Sequence, residues 1–222
     1  MKWLILPLLV AASDWLSVSR SWEKIGYVTK PATVLTLIGW MFAQGVVQLP
    51  LGWFAIGLGF SLLGDVLLML PQEQFIGGVI AFLLAHLMYI LGLNAVPPLM
   101  NVATLVVVVV VVLTAARLGR SITRNLSSTQ KAAIISYIVV VSLMLISALM
   151  TLTCTGWRPG PAILVSIGGL LFFVSDALLA WNRFVEPINQ GKLKVRVTYH
   201  LGQIALISGA AAQMLGLSTS LG

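Results

Sequence analysis

The sequence predicts an all-α polytopic membrane protein with eight transmembrane helices and both termini on the non-cytoplasmic side. Three observations lead to this fold class. First, charged residues make up 9% of the 222-residue chain and hydrophobic residues 59%, with a mean hydropathy of +1.03, whereas soluble domains contain about 25% charged residues. Second, apolar stretches recur at the length that a bilayer requires. Third, the basic residues lie in the short stretches between them.

Eight apolar segments are predicted as transmembrane helices, with proline or glycine at several of the breaks between them. They are Trp3–Ser19, Lys30–Gln48, Gly52–Leu70, Phe75–Leu93, Leu99–Ala116, Lys131–Leu152, Gly160–Trp181 and Thr198–Leu217. The connections are short, so we expect residues 1–222 to form a single transmembrane domain. Asp14 and Trp15 interrupt the signal-peptide pattern of the first segment, which we therefore expect to be a retained helix.

The basic residues divide unequally between the two ends of the predicted bundle. Of the 13 lysines and arginines, only Lys2 and Arg158 lie at one end. The others lie at the opposite end: Arg20, Lys24, Lys30, Arg117, Arg120, Arg124, Lys131, Arg183, Lys192, Lys194 and Arg196. The positive-inside rule makes the basic end cytoplasmic and places both termini outside. We expect an integral protein of a bacterial cell membrane, and loop charges of this kind indicate no nucleic-acid partner.

Two aspartates inside apolar segments are the clearest candidates for function. Asp65 lies in SLLGDVLLML and Asp176 in FFVSDALLAW. An ionisable side chain at the centre of the bilayer costs about 2.5–3.5 kcal/mol on insertion scales, so such residues face the bundle interior and mark functional sites. They could be an acid/base pair, an ion site or hydrogen-bonding contacts between helices. If they lie close together, one carboxyl group would stay protonated and could donate a proton.

A histidine in a third segment extends this candidate site. His86 and Tyr89 are three residues apart, so they share one helix face. One histidine and two aspartates on separate helices carry no metal-ligand spacing, and the single cysteine, Cys154, excludes a multi-cysteine metal cluster. We therefore expect no metal and no other cofactor.

Further polar residues are predicted near the cytoplasmic starts of helices, and we take them as substrate-binding candidates. They are Lys30, Tyr137, Tyr199 and Gln203. Lys30-Pro31 at a helix N-terminus would form an anion site, although a simple positive-inside anchor is the alternative. Asp14 is either a third site carboxylate or a partner of Arg20. The valine-rich stretch Leu105–Leu113 is expected to face lipid and to line no site.

Taken in order, these motifs resemble the YhhN-type lysoplasmalogenase family. The resemblance runs from about Lys30 to Gln203, and Asp14 and the valine-rich helix lie outside it. It is carried by Lys30-Pro31, Ser61 to Asp65, Phe75 to Gly78, Phe82, His86, Tyr89, Tyr137 with Met144, Ser175-Asp176, and Tyr199 with Gln203.

The resemblance implies an eight-helix membrane enzyme that hydrolyses the vinyl ether bond of a lysophospholipid, lysoplasmalogen. The products would be a fatty aldehyde and glycerophosphoethanolamine or glycerophosphocholine. Asp65 and Asp176 would be the acid and the base, and His86 would position water or tune a carboxyl group. Tyr89 and Tyr199 would orient the reacting group, while Lys30 and Gln203 would meet the phosphate.

Two other classes of function remain open at this point. One is a metal-dependent intramembrane lipid amidase or esterase. The other is a proton-coupled transporter of lipids or small molecules that uses the two aspartates as a relay. The sequence leaves open the headgroup, the chain length, the oligomeric state and the choice of acid and base between the aspartates.

Overall fold

The computed structural model describes residues 4–45, 49–70, 74–96 and 101–218, and within these ranges the chain forms eight α-helices and one short 3-10 helix. The helices are α1 (Ile5–Ser19), α2 (Glu23–Ala43), α3 (Leu51–Leu67), α4 (Phe75–Leu93), α5 (Val102–Ile122), α6 (Ser128–Met150), α7 (Pro159–Phe184) and α8 (Gly191–Ser218), and the 3-10 helix is Thr151–Thr153. The all-α prediction is confirmed. Several residues used in the predictions lie outside the described ranges, namely Lys2, Trp3, Gln48 and Leu99.

Among the described residues, four helices are long and apolar enough to cross a membrane: α4, α5, α6 together with its 3-10 extension, and α7. α1 and α3 are shorter apolar helices. These elements and the composition identify the chain as a membrane protein.

Helices that follow one another in the chain pack as antiparallel pairs, most extensively α7 with α8, α3 with α4, and α1 with α2. α8 also contacts α1, α2 and α3, while α4 and α7 both pack against α6. α5 lies at the periphery, because it packs mainly on α6 and only 17% of its apolar stretch is buried, against 44–50% in the other three long apolar helices.

Glycine allows α7 and α8 to approach closely. A Cβ atom on Gly202 would lie 2.9 Å from the backbone nitrogen of Phe172, and one on Gly168 would overlap the backbone nitrogen of Leu206. Since backbone atoms cannot move aside as side chains do, both positions require glycine, as is common where membrane helices cross. The close crossing brings Phe172 of α7 next to Tyr199 of α8.

Two helices begin about two turns earlier than predicted, and this overturns one interpretation. α2 begins at Glu23 rather than Lys30, and α8 at Gly191 rather than Thr198. Lys30 and Tyr199 therefore lie about two turns inside their helices, and the predicted anion site at a helix N-terminus is wrong. Hydropathy marks only the apolar part of a helix, and charged residues such as Lys24 and Lys194 lower it in the first turns although they are compatible with a helix.

Candidate active site

Three side chains from three helices meet around Asp176, and we call them the Asp176 cluster. Tyr137 of α6 donates a hydrogen bond of 2.8 Å to Asp176 Oδ2, and His86 Nε2 of α4 lies 3.2 Å from the same oxygen. The tyrosine oxygen and His86 Nε2 are 3.0 Å apart, which closes the triangle. His86 is fully buried, whereas 13% of the Asp176 side chain is exposed. The cluster therefore joins a carboxylate, an imidazole and a phenol at a point that a ligand can reach.

Asp65 is held by a different set of partners. Its Oδ1 lies 2.8 Å from Lys30 Nζ, and its Oδ2 accepts a hydrogen bond of 2.9 Å from Tyr199. Asp65 is completely buried, and the Lys30 side chain is 12% exposed. The Lys30 ammonium also lies 5.9 Å from the centre of the Tyr199 ring. A fully buried carboxylate is thus paired with an ammonium that is largely but not completely buried, which offsets the cost of removing the carboxylate from water.

A chain of hydrogen bonds extends this pair into the bundle. Gln203 Nε2 donates to the Tyr199 oxygen at 3.4 Å, Tyr89 donates to Gln203 Oε1 at 3.0 Å, and Ser61 and Tyr89 share a bond of 3.1 Å. With Lys30 and Asp65, these residues form what we call the Asp65 network. It connects α2, α3, α4 and α8, and it occupies both the amide nitrogen and the amide oxygen of Gln203.

A phenylalanine lies between the two groups. The Phe172 ring packs edge-on against His86 at 4.6 Å, and against Tyr199 and Tyr89 at 5.4 Å and 6.4 Å between ring centres. Sequence reasoning gave no role to Phe172 or to Ser61. Each precedes a site aspartate by four residues on the same helix, and this spacing, which puts both on the aspartate's face, is the signal that was available.

The Asp176 cluster borders an apolar cavity of about 60 Å³, which is formed by Leu68, directly after α3, and by residues of α4 to α7. Asp176 and Tyr137 are the polar members of its wall, and Asp65 is not part of that wall. Three of the lining residues belong to α5: Ala115, Leu118 and Ile122. The valine-rich stretch Leu105–Leu113 is absent from this wall and is largely exposed, as expected. The residues of α5 that turn inward lie after it, where the sequence analysis assigned no role.

Asp14 takes part in a third polar contact. Its partner is distant in sequence and is not Arg20, which the sequence suggested. Arg196 of α8 lies 2.5 Å from Asp14 Oδ1, and Thr29 of α2 donates to the same oxygen at 2.7 Å. His200 Nδ1 is 3.9 Å from the other oxygen. Asp14 is completely buried and the Arg196 side chain is 19% exposed, so this ion pair ties α1 to α8.

All eight residues predicted for the site lie in the two groups. Tyr137 joins Asp176 and His86, while Lys30, Tyr89, Tyr199 and Gln203 join Asp65. The two aspartates have no common hydrogen-bonding partner among the described residues. Of the two residues predicted to meet phosphate, Lys30 is engaged by Asp65 and Gln203 is 1% exposed. Within the described ranges, no group of three or more His, Cys, Asp or Glu side chains is arranged to hold a metal ion.

Comparisons with known proteins agree with this architecture. The YhhN family model matches residues 25–210. Lysoplasmalogenase TMEM86B of Sus scrofa is 33% identical over 153 residues, which cover 69% of this chain and 60% of that protein. The human TMEM86B lysoplasmalogenase is 26% identical over 94% of this chain and 86% of its own length. An Escherichia coli O157:H7 relative, the uncharacterized membrane protein YhhN, is 35% identical over 36% of this chain and 40% of its own length. No solved structure matches. Because the family model spans most of the chain, this protein belongs to the YhhN family.

Proposed function

We propose that this chain is a membrane-embedded hydrolase that cleaves the vinyl ether bond of lysoplasmalogen, releasing a fatty aldehyde and a glycerophospho-base. The observation that carries the proposal is the Asp176 cluster, which puts a carboxylate and a phenol at the wall of an apolar cavity and a buried imidazole directly behind them. Relatives that bear the name lysoplasmalogenase support the choice of substrate. The chemistry of vinyl ethers supports the choice of residues.

Hydrolysis of a vinyl ether requires a proton first and water second. The proton adds to the β-carbon of the double bond, and the positive charge that results is shared between the α-carbon and the ether oxygen. Water adds to the α-carbon and loses a proton, giving a hemiacetal that separates into an aldehyde and an alcohol. One water is consumed and no electrons are exchanged with a cofactor. Acid/base groups suffice for this sequence, as in the glycosidases that pass through a similar cation.

We assign the proton transfers to the Asp176 cluster, because it borders the cavity. Asp176 and His86 exchange the proton with substrate and water, and Tyr137 holds the carboxylate in position. Asp65 supplies a second negative charge to the site and fixes Lys30 and Tyr199. In this assignment both aspartates and His86 contribute to the reaction, and Asp176 lies nearest the carbons that react. The hydrogen bonds that already engage Lys30 and Gln203 favour a positioning role over contact with phosphate.

The test is aldehyde release from lysoplasmalogen by the purified protein in detergent. Replacing a group that transfers protons costs about 10²–10⁴-fold in rate, so Asp176→Asn should lose activity to this extent while still binding a non-cleavable alkyl lysophospholipid. Glu23→Gln is the matched control, because Glu23 is an exposed acid, and it should retain full activity. A folded wild-type protein that releases no aldehyde would rule out the proposed activity, and lipid or proton transport in liposomes would then be measured.

We further propose that all eight helices cross the cell membrane of a bacterium as one domain, with both termini outside. The unequal division of basic residues between the two ends supports this topology. Thr155 and Lys24 are exposed residues at opposite ends of the bundle. In intact cells, a membrane-impermeant maleimide should label Thr155→Cys, whereas Lys24→Cys should react only after lysis. The native Cys154 is buried, which keeps background labelling low, and the reverse pattern would invert the topology.

A further inference from the structure

A groove of about 510 Å³ runs along the outer side of the contact between α5 and α6. We call it the α5–α6 groove. Its walls are mostly apolar and include Val112 of α5 and Val139 and Leu143 of α6, each about half exposed. In a membrane protein such a surface faces lipid chains, so the groove is placed to receive an apolar chain directly from the bilayer.

The groove is basic at one end. Arg120 lies in the last turn of α5 and Lys131 in the first turn of α6, and both line the groove. No acidic side chain lines it, and neither cation forms an ion pair with any residue that the structure describes. Two unpaired cations above an apolar channel complement a single-chain lipid with an anionic headgroup.

The groove and the Asp176 cavity share part of their walls. Ala115 of α5 and Ile138 of α6 line both. The α5 side of this contact is formed by small residues, and a Cβ atom on Gly119 would lie 3.4 Å from Ile138 Cδ1. A cavity of about 60 Å³ has room for water but not for a lipid chain. Passage of a lipid chain from the groove to the cavity requires α5 and α6 to separate at this contact, and α5 is the least buried of the four long apolar helices.

The spacing along α6 fits the length of a lysophospholipid headgroup. Lys131 and Tyr137 are six residues apart, which corresponds to about 9 Å along a helix. Seven bonds separate the phosphorus of lysoplasmalogen from its β-carbon, and an extended chain of that length spans about 8 Å. A phosphate at Lys131 would thus bring the double bond to the level of Tyr137 and Asp176.

We propose that the α5–α6 groove is the lateral entrance for the lysophospholipid, and that Arg120 and Lys131 bind its phosphate. The chain passes between α5 and α6 at Ala115 and Ile138 to reach the Asp176 cavity. This inference rests on the proposed function, to which it adds the phosphate site and the path of the substrate. Arg120 and Lys131 would bind the phosphate, which Lys30 and Gln203 do not, because Asp65 and the tyrosines already occupy their side chains.

The phosphate site is tested by equilibrium binding to the full-length protein in detergent. The probes are a non-cleavable 1-O-alkyl lysophosphocholine and the matching alkylglycerol, which lacks phosphate. Arg120→Gln/Lys131→Gln should bind the phosphate compound about tenfold more weakly and the alkylglycerol as well as wild type does. Arg20→Gln/Lys24→Gln removes the same charge from exposed positions outside the groove and should change neither affinity. Equal binding of the phosphate compound by wild type and Arg120→Gln/Lys131→Gln, or an equal loss for both probes, would overturn the assignment.

The path is tested by locking the two helices together. Gly119→Cys/Ile138→Cys, in a Cys154→Ala background, should slow association of the alkyl lysophosphocholine about tenfold when the two thiols are joined by a short reducible bis-thiosulfonate cross-linker, and reduction should restore it. Ser17→Cys/Gly26→Cys provides a control at the contact between α1 and α2, where a Gly26 Cβ would lie 3.4 Å from Ser17 Oγ, and its cross-linking should leave association unchanged. Unchanged association in the cross-linked α5–α6 variant would overturn the path. Both tests measure binding, so a wild type that binds the lipid but releases no aldehyde would refute the proposed activity alone.

Discussion

Tyr137 donates a hydrogen bond of 2.8 Å to Asp176 Oδ2, and its oxygen also lies 3.0 Å from His86 Nε2. One phenol from α6 therefore contacts the carboxylate of α7 and the imidazole of α4. The arrangement orients both groups toward each other without occupying the second carboxylate oxygen. It also makes Tyr137 the residue whose removal tests the cluster with the least disturbance.

Tyr137→Phe should lower the rate of aldehyde release about ten- to a hundredfold, because a hydrogen bond to a charged group contributes about 1.5–3 kcal/mol. The ring that packs against His86 is kept, so the fold should persist. Tyr27→Phe is the matched control, since Tyr27 is 50% exposed, and its rate should equal that of wild type. The rates are measured by steady-state kinetics. Equal rates for Tyr137→Phe and Tyr27→Phe would show that the Tyr137 hydroxyl does not contribute to the reaction.

The ion pair of Lys30 and Asp65 should behave as a coupled unit in stability measurements. Asp65→Leu or Lys30→Met alone leaves a buried charge without its partner and should cost about 3–5 kcal/mol. The double variant removes both charges and should be more stable than either single variant. A double-mutant cycle on thermal unfolding in detergent measures this coupling.

Additive effects in that cycle would contradict the buried pair. Aldehyde release by the folded double variant then tests the role of Asp65 in the reaction. Activity close to wild type would show that Asp65 is dispensable for catalysis.

Arg196→Gln should destabilise the protein strongly, because it leaves the fully buried Asp14 without the cation that lies 2.5 Å away. The expected cost is about 3–5 kcal/mol. Arg20→Gln removes an equal charge from the exposed residue that sequence proximity favoured as the partner of Asp14, and it should leave the unfolding temperature unchanged. If Arg20→Gln lowered the unfolding temperature more than Arg196→Gln did, Arg20 rather than Arg196 would be the partner of Asp14.

The two faces of α5 should respond differently to a bulky side chain. Leu118→Trp fills space beside the Asp176 cavity, so it should exclude substrate and reduce turnover of lysoplasmalogen at least about tenfold, which corresponds to about 1.4 kcal/mol. Val109→Trp lies on the lipid-exposed side, where Val109 is 46% exposed, and should retain wild-type turnover. Equal turnover by the two variants would show that α5 has no role in substrate binding.

The prediction from sequence was accurate where the signal is local. The positions of α3, α4 and α7 follow from runs of apolar residues, and α4 was predicted with both of its ends correct. The prediction placed the starts of α2 and α8 too late, because charged residues in their first turns lower the hydropathy there. It assigned no role to the inward-facing residues Ala115, Leu118 and Ile122 of α5, because an average over apolar residues does not report which side of a helix packs inward.

The sequence by itself determined that this is an all-α membrane protein of the YhhN type and which polar residues lie inside it. Hydropathy and isolated polar residues are properties of single segments, so they can be read without knowing how the segments pack. Only the tertiary structure decided how those residues group: Asp65 with Lys30 and Tyr199, Asp176 with His86 and Tyr137, and Asp14 with Arg196. These partners are up to 182 positions apart in the chain. Their contacts depend on the rotation and depth of each helix, and these are set by the packing of all the helices together.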